Sequence, residues 1–550
     1  MPSLTTLPAL FAHRVAATPG GDAYRRYDRA SARWQTLSWA QIGDDAARWR
    51  RALAGENLPP GARVAILARG CVEHVCMDQA VLALGCVPVP LHAIDNPESI
   101  AYILADSSAQ LLLVETVKRW EPLAKLRAQF PQLRKVLCMD RPPAEGAVCV
   151  EDWLAGAGAE PAPADVRPES LAAIVYTSGT TGKPKGVMLA HRNVVSNVQA
   201  LLEIVDVRAN DQFLSFLPFS HTFERTVGYY TPVAAGACVA FARSVPELPQ
   251  DLVAIRPTIL VSVPRVYERI YARLQENRVA RLNWRLLDRL LVGPRVRAQF
   301  GGRLRFAITG GAALSLAVAE RFRALGVEVL QGYGMTESSP VISANRPGAN
   351  DPASVGPPIP GVEVRIGAND ELLVKGPNVM KGYLNRPEDT AKALEGGWLH
   401  TGDQAVLRDG RIHIKGRIKD IIVTSTGEKI APGDMELAIQ HDPLFAQAMV
   451  IGENRPFLCV LAVLEPNEWR KVSAALGGSA ESAAAKRSAL ERIRKALSAF
   501  PAYVTPRAVW LTLEPWTIEN GLITPTLKVK RPAVEARFAP QIRSIYEGHG

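Results

Sequence analysis

The chain has 550 residues, of which 47% are apolar and 21% are charged. These values are typical of an ordinary globular protein with more than one domain, and they exclude a disordered or fibrous chain. The formal net charge of +10 attracts anions such as phosphorylated ligands or acidic lipid. The sequence contains no zinc finger, RNP motif or lysine-rich tail, so we expect no nucleic acid partner.

The cysteines and the termini indicate a cytoplasmic protein. The seven cysteines show no CxxC spacing, which predicts free, buried thiols in a reducing compartment. The first residues, MPSLTTLPALFAHR, lack the charged and apolar regions of a signal peptide. The uncharged stretch 226–242 is interrupted by Gly228, Pro232 and Gly236, so we expect a helix end, a turn and a strand, not a membrane span. The final Gly-His-Gly is not a peroxisomal address.

Strands and helices alternate in the first 120 residues. ARVAIL (62–67), CVPVPL (86–91) and AQLLLVE (109–115) are predicted strands, and HVCMDQAVLALG (74–85) is a predicted helix. Nearly continuous apolar strands separated by helices are typical of parallel sheets that helices cover on both faces.

A glycine-rich loop follows the next predicted strand. The apolar run LAAIVY (171–176) leads into YTSGTTGKPKG (176–186), and a helical pattern starts at residue 193. Glycines let backbone N–H groups approach phosphate oxygens, and hydroxyls and lysines add donors and charge. The loop is not a Walker sequence, because Pro184 follows Lys183 and Thr177 stands where the Walker glycine would be. The pattern therefore predicts a phosphate loop of another class.

The residue pattern of the sequence changes after residue 362. Two period-2 hairpins turn at Asn369-Asp370 and at Asp409-Gly410. A polar, glycine-punctuated connection (416–432) and a compact αβ segment follow. We therefore expect an N-terminal domain over 1–416, a hinge over 417–419 and a C-terminal domain over 420–550.

The loop 176–186 resembles the signature of the adenylate-forming enzymes, the superfamily of acyl-CoA synthetases, luciferases and peptide-synthetase adenylation domains. Further motifs occur in the order of that superfamily: LPFSHTFER (217–225), GGAALS (310–315), QGYGMTES (331–338), GPNVMKGY (376–383), GWLHTGD (397–403), GRIKDIIVTSTGEKIAP (416–432) and NGLITPTLKVKR (520–531). The variants SHTFER, PRVYERIY (264–271) and LITPTLKVKR are most similar to long-chain fatty acyl-CoA synthetases.

The resemblance implies an α/β fold and a two-step reaction. The fold would have a large N-terminal domain of stacked αβ subdomains with a small β-barrel-like part, and a small, mobile α+β C-terminal domain. A fatty acid of medium to long chain and ATP would give acyl-AMP and pyrophosphate. Coenzyme A would then displace AMP to give acyl-CoA. The implied partners are ATP, Mg²⁺, a fatty acid and coenzyme A.

The resemblance also implies roles for individual residues. Glu337, with Thr177 as a weaker second ligand, would hold Mg²⁺, and Thr336 would contact the α-phosphate. Tyr333 would stack on adenine, and Asp403 and Arg417 would bind ribose or α-phosphate oxygens. The rest of the ATP and AMP site would comprise Thr177, Ser178, Gly179, Thr180, Thr181, Gly182, Lys185, Gly311, Ala312 and Gly334.

The remaining implied residues act on the acyl group and on the small domain. Lys528 would bridge the carboxylate and the α-phosphate during adenylation. Leu527 precedes it where glycine is commoner, so Lys530 remains the alternative. His221 would wall the acyl pocket with Gly310 and Gly332. Lys419 would be the hinge.

Other functions stay open beside this one. An acyl-AMP ligase could load a carrier protein, although ALGGSAES (475–482) lacks the acidic or histidine residue normally found before an attachment serine. A synthetase for an aryl or short-chain acid would carry the same motifs. A general ATPase is disfavoured by the absent Walker sequence, and a protein without catalysis is disfavoured by the presence of Glu337, Asp403, Arg417 and Lys528.

The segment 264–305 is strongly basic, with eleven arginines, no lysine and three acids. Within it, Arg278, Arg281, Arg285 and Arg289 would share one helical face opposite a leucine stripe. The ordinary interpretation is a helix packed on its own domain with solvated arginines. The alternative is peripheral contact with the anionic inner face of a membrane.

Overall fold

A computed structural model describes residues 4–141, 143, 145–177, 183–276, 292–425, 428–498, 500–501, 504–524 and 528–547. Loop residues Ser178–Gly182 and the four arginines Arg278, Arg281, Arg285 and Arg289 lie outside these ranges. Both α-helices and β-sheets build the described chain, so the prediction of an α/β fold is confirmed.

Two large sheets form the centre of the N-terminal part. The first is fully parallel and has five strands, in the order Val87–Pro90, Arg63–Leu67, Leu111–Val114, Lys135–Cys138 and Val148–Cys149. The second has eight strands, in the order Val341–Ala344, Val329–Gly334, Phe306–Thr309, Ile259–Ser262, Gln212–Ser215, Cys238–Phe241, Asp22–Asp28 and Arg33–Ser38. Its inner strands are parallel, but both edge strands are antiparallel, which the prediction of parallel sheets missed.

Two smaller antiparallel sheets complete this part. A three-stranded sheet comprises Gly382–Tyr383, Lys185–Ala190 and Leu171–Thr177. A four-stranded sheet, which corresponds to the predicted barrel-like part, comprises Glu363–Ile366, Glu371–Lys375, Leu399–Arg408 and Arg411–Arg417. Both predicted hairpins lie in it, and positive φ angles at Asn369, Asp370, Asp409 and Gly410 explain why short polar residues and glycine occupy the turns.

The C-terminal part has its own sheets and core. A two-stranded sheet pairs Ile422–Val423 with Lys429–Ile430, and a three-stranded sheet comprises Phe445–Ile451, Cys459–Leu464 and Ala508–Thr512. The second sheet is sandwiched between two apolar clusters, one centred on Ile493 and the other on Trp516.

Helices cover the faces of these sheets. The α-helices span Leu7–Ala17, Trp39–Ala54, Val72–Ala83, Pro97–Asp106, Val117–Ala124, Val150–Ala155, His191–Ile204, Thr231–Ala235, Leu248–Ile255, Pro264–Glu276, Gly293–Gln299, Leu316–Ala324, Pro387–Ala393, Pro432–Gln440, Pro466–Val472, Ala483–Ala496, Arg531–Arg537 and Ala539–Glu547. Short 3₁₀ turns span Arg127–Gln129, Thr336–Ser338, Ala368–Asp370, Glu395–Gly397, Ile418–Asp420 and Ala474–Leu476. All seven cysteines are free, and all but Cys71 are buried, as predicted.

A π-helix, Glu224–Tyr230, packs against the eight-stranded sheet just after the SHTFER histidine. Its Arg225 donates to Asp78 Oδ1 at 2.6 Å, and both side chains are almost fully buried. Tyr230 Oη donates to the other Asp78 oxygen at 2.7 Å. Breaking such a buried pair leaves an uncompensated charge, so the pair ties the π-helix to the helix Val72–Ala83.

Glu224 on the π-helix is a fully buried carboxyl group. Ser215 Oγ donates to its Oε1 at 2.6 Å. Gly228 leaves room for it, since a Cβ there would lie 2.6 Å from the carboxyl atoms. Burial raises the pKa of Glu224 from 4.5 to about 8, against the lowering effect of the Ser215 hydrogen bond. The group is therefore neutral in the folded protein at pH 7.

We predict that Glu224→Gln flattens the pH dependence of stability. Because the folded-state pKa is raised, the contribution of Glu224 to stability is full below pH 4.5 and falls as the pH rises to about 8. The fall is at most about 1.4 kcal/mol per pH unit. Glutamine cannot ionise, so the free energy of unfolding of the variant, relative to that of the wild type, should be higher at pH 8 than at pH 5. Urea unfolding at both pH values measures this, and an equal difference at both would contradict it.

Candidate functional site

Several predicted site residues lie at the carboxyl ends of two neighbouring strands of the eight-stranded sheet, Phe306–Thr309 and Val329–Gly334. We call the region between these strand ends and the four-stranded sheet the cleft. Gly310, Gly311 and Ala312 follow the strand Phe306–Thr309. A Cβ at Gly310 would lie 3.2 Å from the Phe223 ring, so this glycine admits close packing beneath SHTFER. Gly311 has a φ of 80°, and no atom lies within 4 Å of its Cβ position. Gly311 and Ala312 are exposed and so present backbone to an open cleft.

Tyr333, Asp403 and Arg417 form one bonded unit across the cleft. Tyr333 Oη donates to Asp403 Oδ2 at 2.5 Å, and Arg417 Nε lies 3.1 Å from Asp403 Oδ1. Asp403 and Arg417 are register partners on neighbouring strands of the four-stranded sheet. The unit therefore joins the four-stranded sheet to the carboxyl end of the strand Val329–Gly334.

The two charged side chains of this unit, Asp403 and Arg417, are buried to different degrees. The Asp403 side chain is 7% exposed, whereas that of Arg417 is 52% exposed. Burial raises the pKa of Asp403, while Arg417, the Tyr333 hydroxyl and Lys528 oppose the rise. Burial and the Asp403 charge raise the pKa of Tyr333 well above 10, so its hydroxyl stays a donor. The Arg417 side chain is therefore half exposed to solvent, whereas the Asp403 carboxylate is held by two partners.

Glu337 lies in the 3₁₀ turn Thr336–Ser338, directly after the strand that carries Tyr333. Tyr383 Oη donates to its Oε1 at 2.7 Å. Lys185 Nζ lies 5.3 Å from the centre of the Tyr383 ring and 2.9 Å from Asp389 Oδ2. Thr336 Oγ1 accepts from Thr222 Oγ1 at 3.5 Å. Tyr383 therefore lies beside Lys185, at the end of the glycine-rich loop, and also bonds the Glu337 carboxylate.

Lys528 reaches this cleft from the C-terminal part. The charges of Arg417, Asp403, Glu337 and Asp420 all act on it. Burial lowers its pKa most, Arg417 lowers it further, and the three carboxylates oppose the shift. Lys528 is nevertheless exposed, so solvent screens these charges and weakens the effect of burial. Thr524 N donates to Lys528 O at 2.8 Å, and Lys528 N donates to Thr524 Oγ1 at 3.1 Å, which holds the Lys528 backbone against Thr524.

His221 lies in the same cleft, beside a histidine that the sequence interpretation missed. The His221 and His92 rings meet edge to face with centroids 6.0 Å apart. Burial, with smaller contributions from His92 and Lys528, lowers the pKa of His221 to about 4. Burial alone lowers the pKa of His92 to about 4. Both rings are uncharged at neutral pH, which agrees with a pocket wall more than with a proton carrier.

The other predicted residues have less direct evidence. Thr177 ends the strand Leu171–Thr177 and pairs with Lys185, whereas Ser178, Gly179, Thr180, Thr181 and Gly182 lie outside the described residues. Gly334 packs so tightly that a Cβ would lie 1.9 Å from Pro340 O. Gly332 faces the strand Val341–Ala344, where a Cβ would lie 3.2 Å from Ser343 O. Lys419 lies in the turn Ile418–Asp420, between the two parts.

The sequence interpretation missed four side chains of the cleft: Tyr383, Asp389, Asp420 and His92. Tyr383 and Asp420 lie inside motifs that were already quoted, so position in a motif could have identified them. Nothing in the local sequence marks Asp389 or His92, because their place in the cleft depends on how separate sheets pack.

Membrane-spanning helices and preformed metal clusters are both absent from the described residues. No helix in the described ranges is long and apolar enough to cross a membrane. Across the same residues, no group of three or more His, Cys, Asp or Glu side chains could hold a metal ion by itself.

The chain is similar to known proteins over nearly its whole length. The AMP-binding enzyme family matches residues 11–384, and the C-terminal domain of AMP-binding enzymes matches residues 419–550. A long-chain-fatty-acid–CoA ligase of Mycobacterium bovis is 30% identical, over 93% of this chain and 92% of its own length. Long-chain-fatty-acid–CoA ligase 1 of Homo sapiens is 31% identical, over 93% and 82%.

The fold agrees with these matches. The crystal structure of the adenylation domain of a carboxylate reductase from Mycobacterium chelonae superposes with a TM-score of 0.84 at 23% identity, covering 100% of this chain and 92% of that one. The two matched regions leave out only residues 1–10 and 385–418. The chain therefore belongs to the AMP-binding enzymes, the adenylate-forming superfamily that its motifs resemble.

Proposed function

We propose that the chain is an AMP-forming acyl-CoA ligase that activates a fatty acid with ATP and transfers it to coenzyme A. The observation that carries this proposal is the convergence of Tyr333, Asp403, Arg417 and Lys528 in one cleft, together with the curated relatives named as long-chain ligases. In the first step a carboxylate oxygen attacks the α-phosphorus and pyrophosphate leaves. In the second step the thiol attacks the acyl carbon and AMP leaves.

ATP would lie between the strand ends and the four-stranded sheet. The exposed backbone at Gly311 and Ala312 suits the edge of adenine, and the Tyr333 ring suits its face. Asp403 has further lone pairs for ribose hydroxyls, and the solvent-facing part of Arg417 would meet ribose or α-phosphate oxygens. Thr336 would contact the α-phosphate. Lys185 and the loop 177–182 would hold the outer phosphates.

The residues around Glu337 fit Mg²⁺. A carboxylate offers four lone pairs, and the hydrogen bond from Tyr383 uses one. Mg²⁺ usually binds one or two carboxylates and completes its shell with water and substrate phosphates. Bound by Glu337 and the triphosphate, with Thr177 as a weaker candidate, Mg²⁺ would neutralise charge on the departing pyrophosphate.

Lys528 would supply positive charge where the carboxylate meets the α-phosphate. We predict that Lys528→Ala slows acid-dependent ATP–pyrophosphate exchange by about 100-fold or more. Thioester formation from supplied acyl-AMP should change little, because the phosphorus–oxygen bond is already made. Lys530→Ala is the matched control, because Lys530 is the alternative lysine two residues further along the same motif. Similar losses in both half-reactions, or a larger loss in Lys530→Ala, would contradict this role.

Lys419 is proposed as the hinge between an N-terminal domain, 1–416, and a mobile domain, 420–550. Support comes from its place in the turn Ile418–Asp420, where the second matched region begins. One cleft serves two reactions if the small domain rotates between them, and a hinge residue must absorb the change in φ and ψ.

We predict that Lys419→Pro impairs thioester formation far more than adenylation. Proline fixes φ and removes a donor, which should hold the small domain in the arrangement that places Lys528 in the cleft. Lys419→Ala leaves the backbone free and is the control. Rapid-quench measurement of the two half-reactions separates them, and equal losses in both would exclude the hinge.

We propose a medium- or long-chain fatty acid as the substrate, on the strength of the relatives' names. His221, Gly310 and Gly332 would line the start of the acyl pocket, where neutral His221 and His92 present no charge to an apolar chain. We predict that kcat/KM for coenzyme A-dependent AMP release rises from acetate to oleate by at least about tenfold, since each buried CH₂ contributes about 0.8 kcal/mol. A maximum at acetate or at an aryl acid would favour the alternative substrates.

Two further possibilities from the sequence stay predictions. A carrier protein could accept the acyl group in place of coenzyme A, and thioester assays with either acceptor distinguish the two. Peripheral contact with an anionic membrane through 264–305 depends mainly on arginines outside the described residues. Salt-sensitive cosedimentation with anionic vesicles is the measurement for it.

A further inference from the structure

Three buried asparagines connect the segments around Glu337. Asn193 and Asn197 lie one turn apart on the helix His191–Ile204, and neither is exposed. Asn378 lies in GPNVMKGY and is 1% exposed. We call these three residues the asparagine triangle.

The side-chain amides of the asparagine triangle donate hydrogen bonds to backbone carbonyl groups. Asn193 Nδ2 donates to Pro377 O at 2.7 Å and to Val379 O at 2.8 Å, and so fixes the residues on both sides of Asn378. Asn378 Nδ2 in turn donates to Ser338 O at 3.0 Å and to Val341 O at 3.1 Å.

The third set of hydrogen bonds comes from Asn197 on the helix His191–Ile204. Asn197 Nδ2 donates to the same two carbonyls, to Val341 O at 2.8 Å and to Ser338 O at 3.4 Å. Asn197 Oδ1 accepts from the N–H of Val341 at 3.3 Å. Two asparagines from distant parts of the chain therefore converge on the carbonyl groups of Ser338 and Val341.

These two carbonyls lie on either side of Ser339 and Pro340, directly after Glu337 in the turn Thr336–Ser338. Ser339 has a φ of 66°, which is uncommon for a residue with a side chain. Thr226 Oγ1 on the π-helix donates to Ser339 O at 2.9 Å, and Met380 N donates to Glu337 O at 2.8 Å. These outside donors add to the turn's own hydrogen bonds, such as those from Ser338 N to Met335 O and from Met335 N to Pro340 O, both at 3.0 Å.

The chemistry of the asparagine triangle is specific to a primary amide. Only an amide NH₂ of this size offers two N–H groups to two carbonyl oxygens at once. An aspartate has the same shape but would place acceptors against acceptors. Tyr383, which bonds the Glu337 carboxylate, lies on the same segment as Asn378. A shift of that segment would therefore move both the turn and the group that orients the carboxylate.

We propose that the asparagine triangle positions Glu337 for Mg²⁺ and ATP, so that its residues act through Glu337 without touching the substrate. This inference rests on the proposed function of Glu337. Partners that orient a metal-binding carboxylate typically change metal affinity by about 10- to 100-fold when they are removed.

The test is Asn378→Asp in the full chain. Calorimetric titration of a non-hydrolysable ATP analogue at several Mg²⁺ concentrations gives the Mg²⁺ needed for half-maximal binding. We expect that concentration to rise by about tenfold or more. Adenylation should fall with it at subsaturating Mg²⁺, while thioester formation from supplied acyl-AMP stays within about twofold. Glu337→Gln is the benchmark and should show the same pattern more strongly.

The matched control is Asn345→Asp. Asn345 is equally buried, and its Nδ2 donates to Ser354 O at 2.8 Å and to Asp351 O at 3.1 Å. Within the described part of the chain, its side chain makes no hydrogen bond to the Glu337 turn. It reports the general effect of replacing a buried amide. If Asn378→Asp matches this control and leaves the Mg²⁺ dependence unchanged, the inference is wrong.

Two other outcomes are also decisive. If Asn378→Asp does not fold, Asn378→Ser keeps one donor in a smaller side chain, and an unchanged Mg²⁺ dependence in that variant overturns the inference. If the wild type shows no Mg²⁺-dependent binding of the ATP analogue, both the proposed function and this inference fail. If the wild type binds the analogue in a Mg²⁺-dependent way and the variants bind it equally well, only the role of the asparagine triangle is excluded.

Discussion

The arrangement of the cleft depends on the Asp403 carboxylate. It accepts a hydrogen bond from Tyr333 on one oxygen and pairs with Arg417 on the other. These contacts join the end of a parallel strand to the four-stranded sheet and fix the residue just before the turn Ile418–Asp420. A nearly buried carboxylate with two partners has few ways to reorient, since losing either partner would leave its charge unpaired. The proposed nucleotide site and the proposed hinge are therefore held by the same group.

The cleft carries charges of both signs that are close enough to affect one another. Glu337, Asp403 and Asp420 oppose the lowering of the Lys528 pKa that burial and Arg417 cause. Lys528 in turn helps to keep His221 neutral. If the small domain rotates after adenylation, as we propose, Lys528 leaves and the cleft loses a positive charge when pyrophosphate has already gone. The electrostatics of the two proposed steps would then differ without any change in the large domain.

The sequence was sufficient for the local structure and for the order of the motifs. LAAIVY became the strand Leu171–Thr177, and Asp409-Gly410 became the hairpin turn, because periodicity and turn chemistry act over a few residues. The antiparallel edge strands and the π-helix were not predicted, since edge pairing depends on distant segments and a π-helix of 7 residues is too short to show a hydrophobic period. For the cleft, motifs identified Tyr333, Asp403 and Lys528. His92 and Asp389 enter it only through tertiary packing.

The central claim is that the acid is activated by transfer to AMP before the thiol attacks. Incubation with ATP, Mg²⁺, coenzyme A and oleate labelled with ¹⁸O in its carboxyl group tests this claim directly by mass spectrometry of the products. The account predicts that AMP gains one ¹⁸O atom for each acyl-CoA formed, because the carboxylate oxygen that attacks the α-phosphorus leaves with AMP. Label in inorganic phosphate with formation of ADP, or acyl-CoA formed with unlabelled AMP, would contradict it.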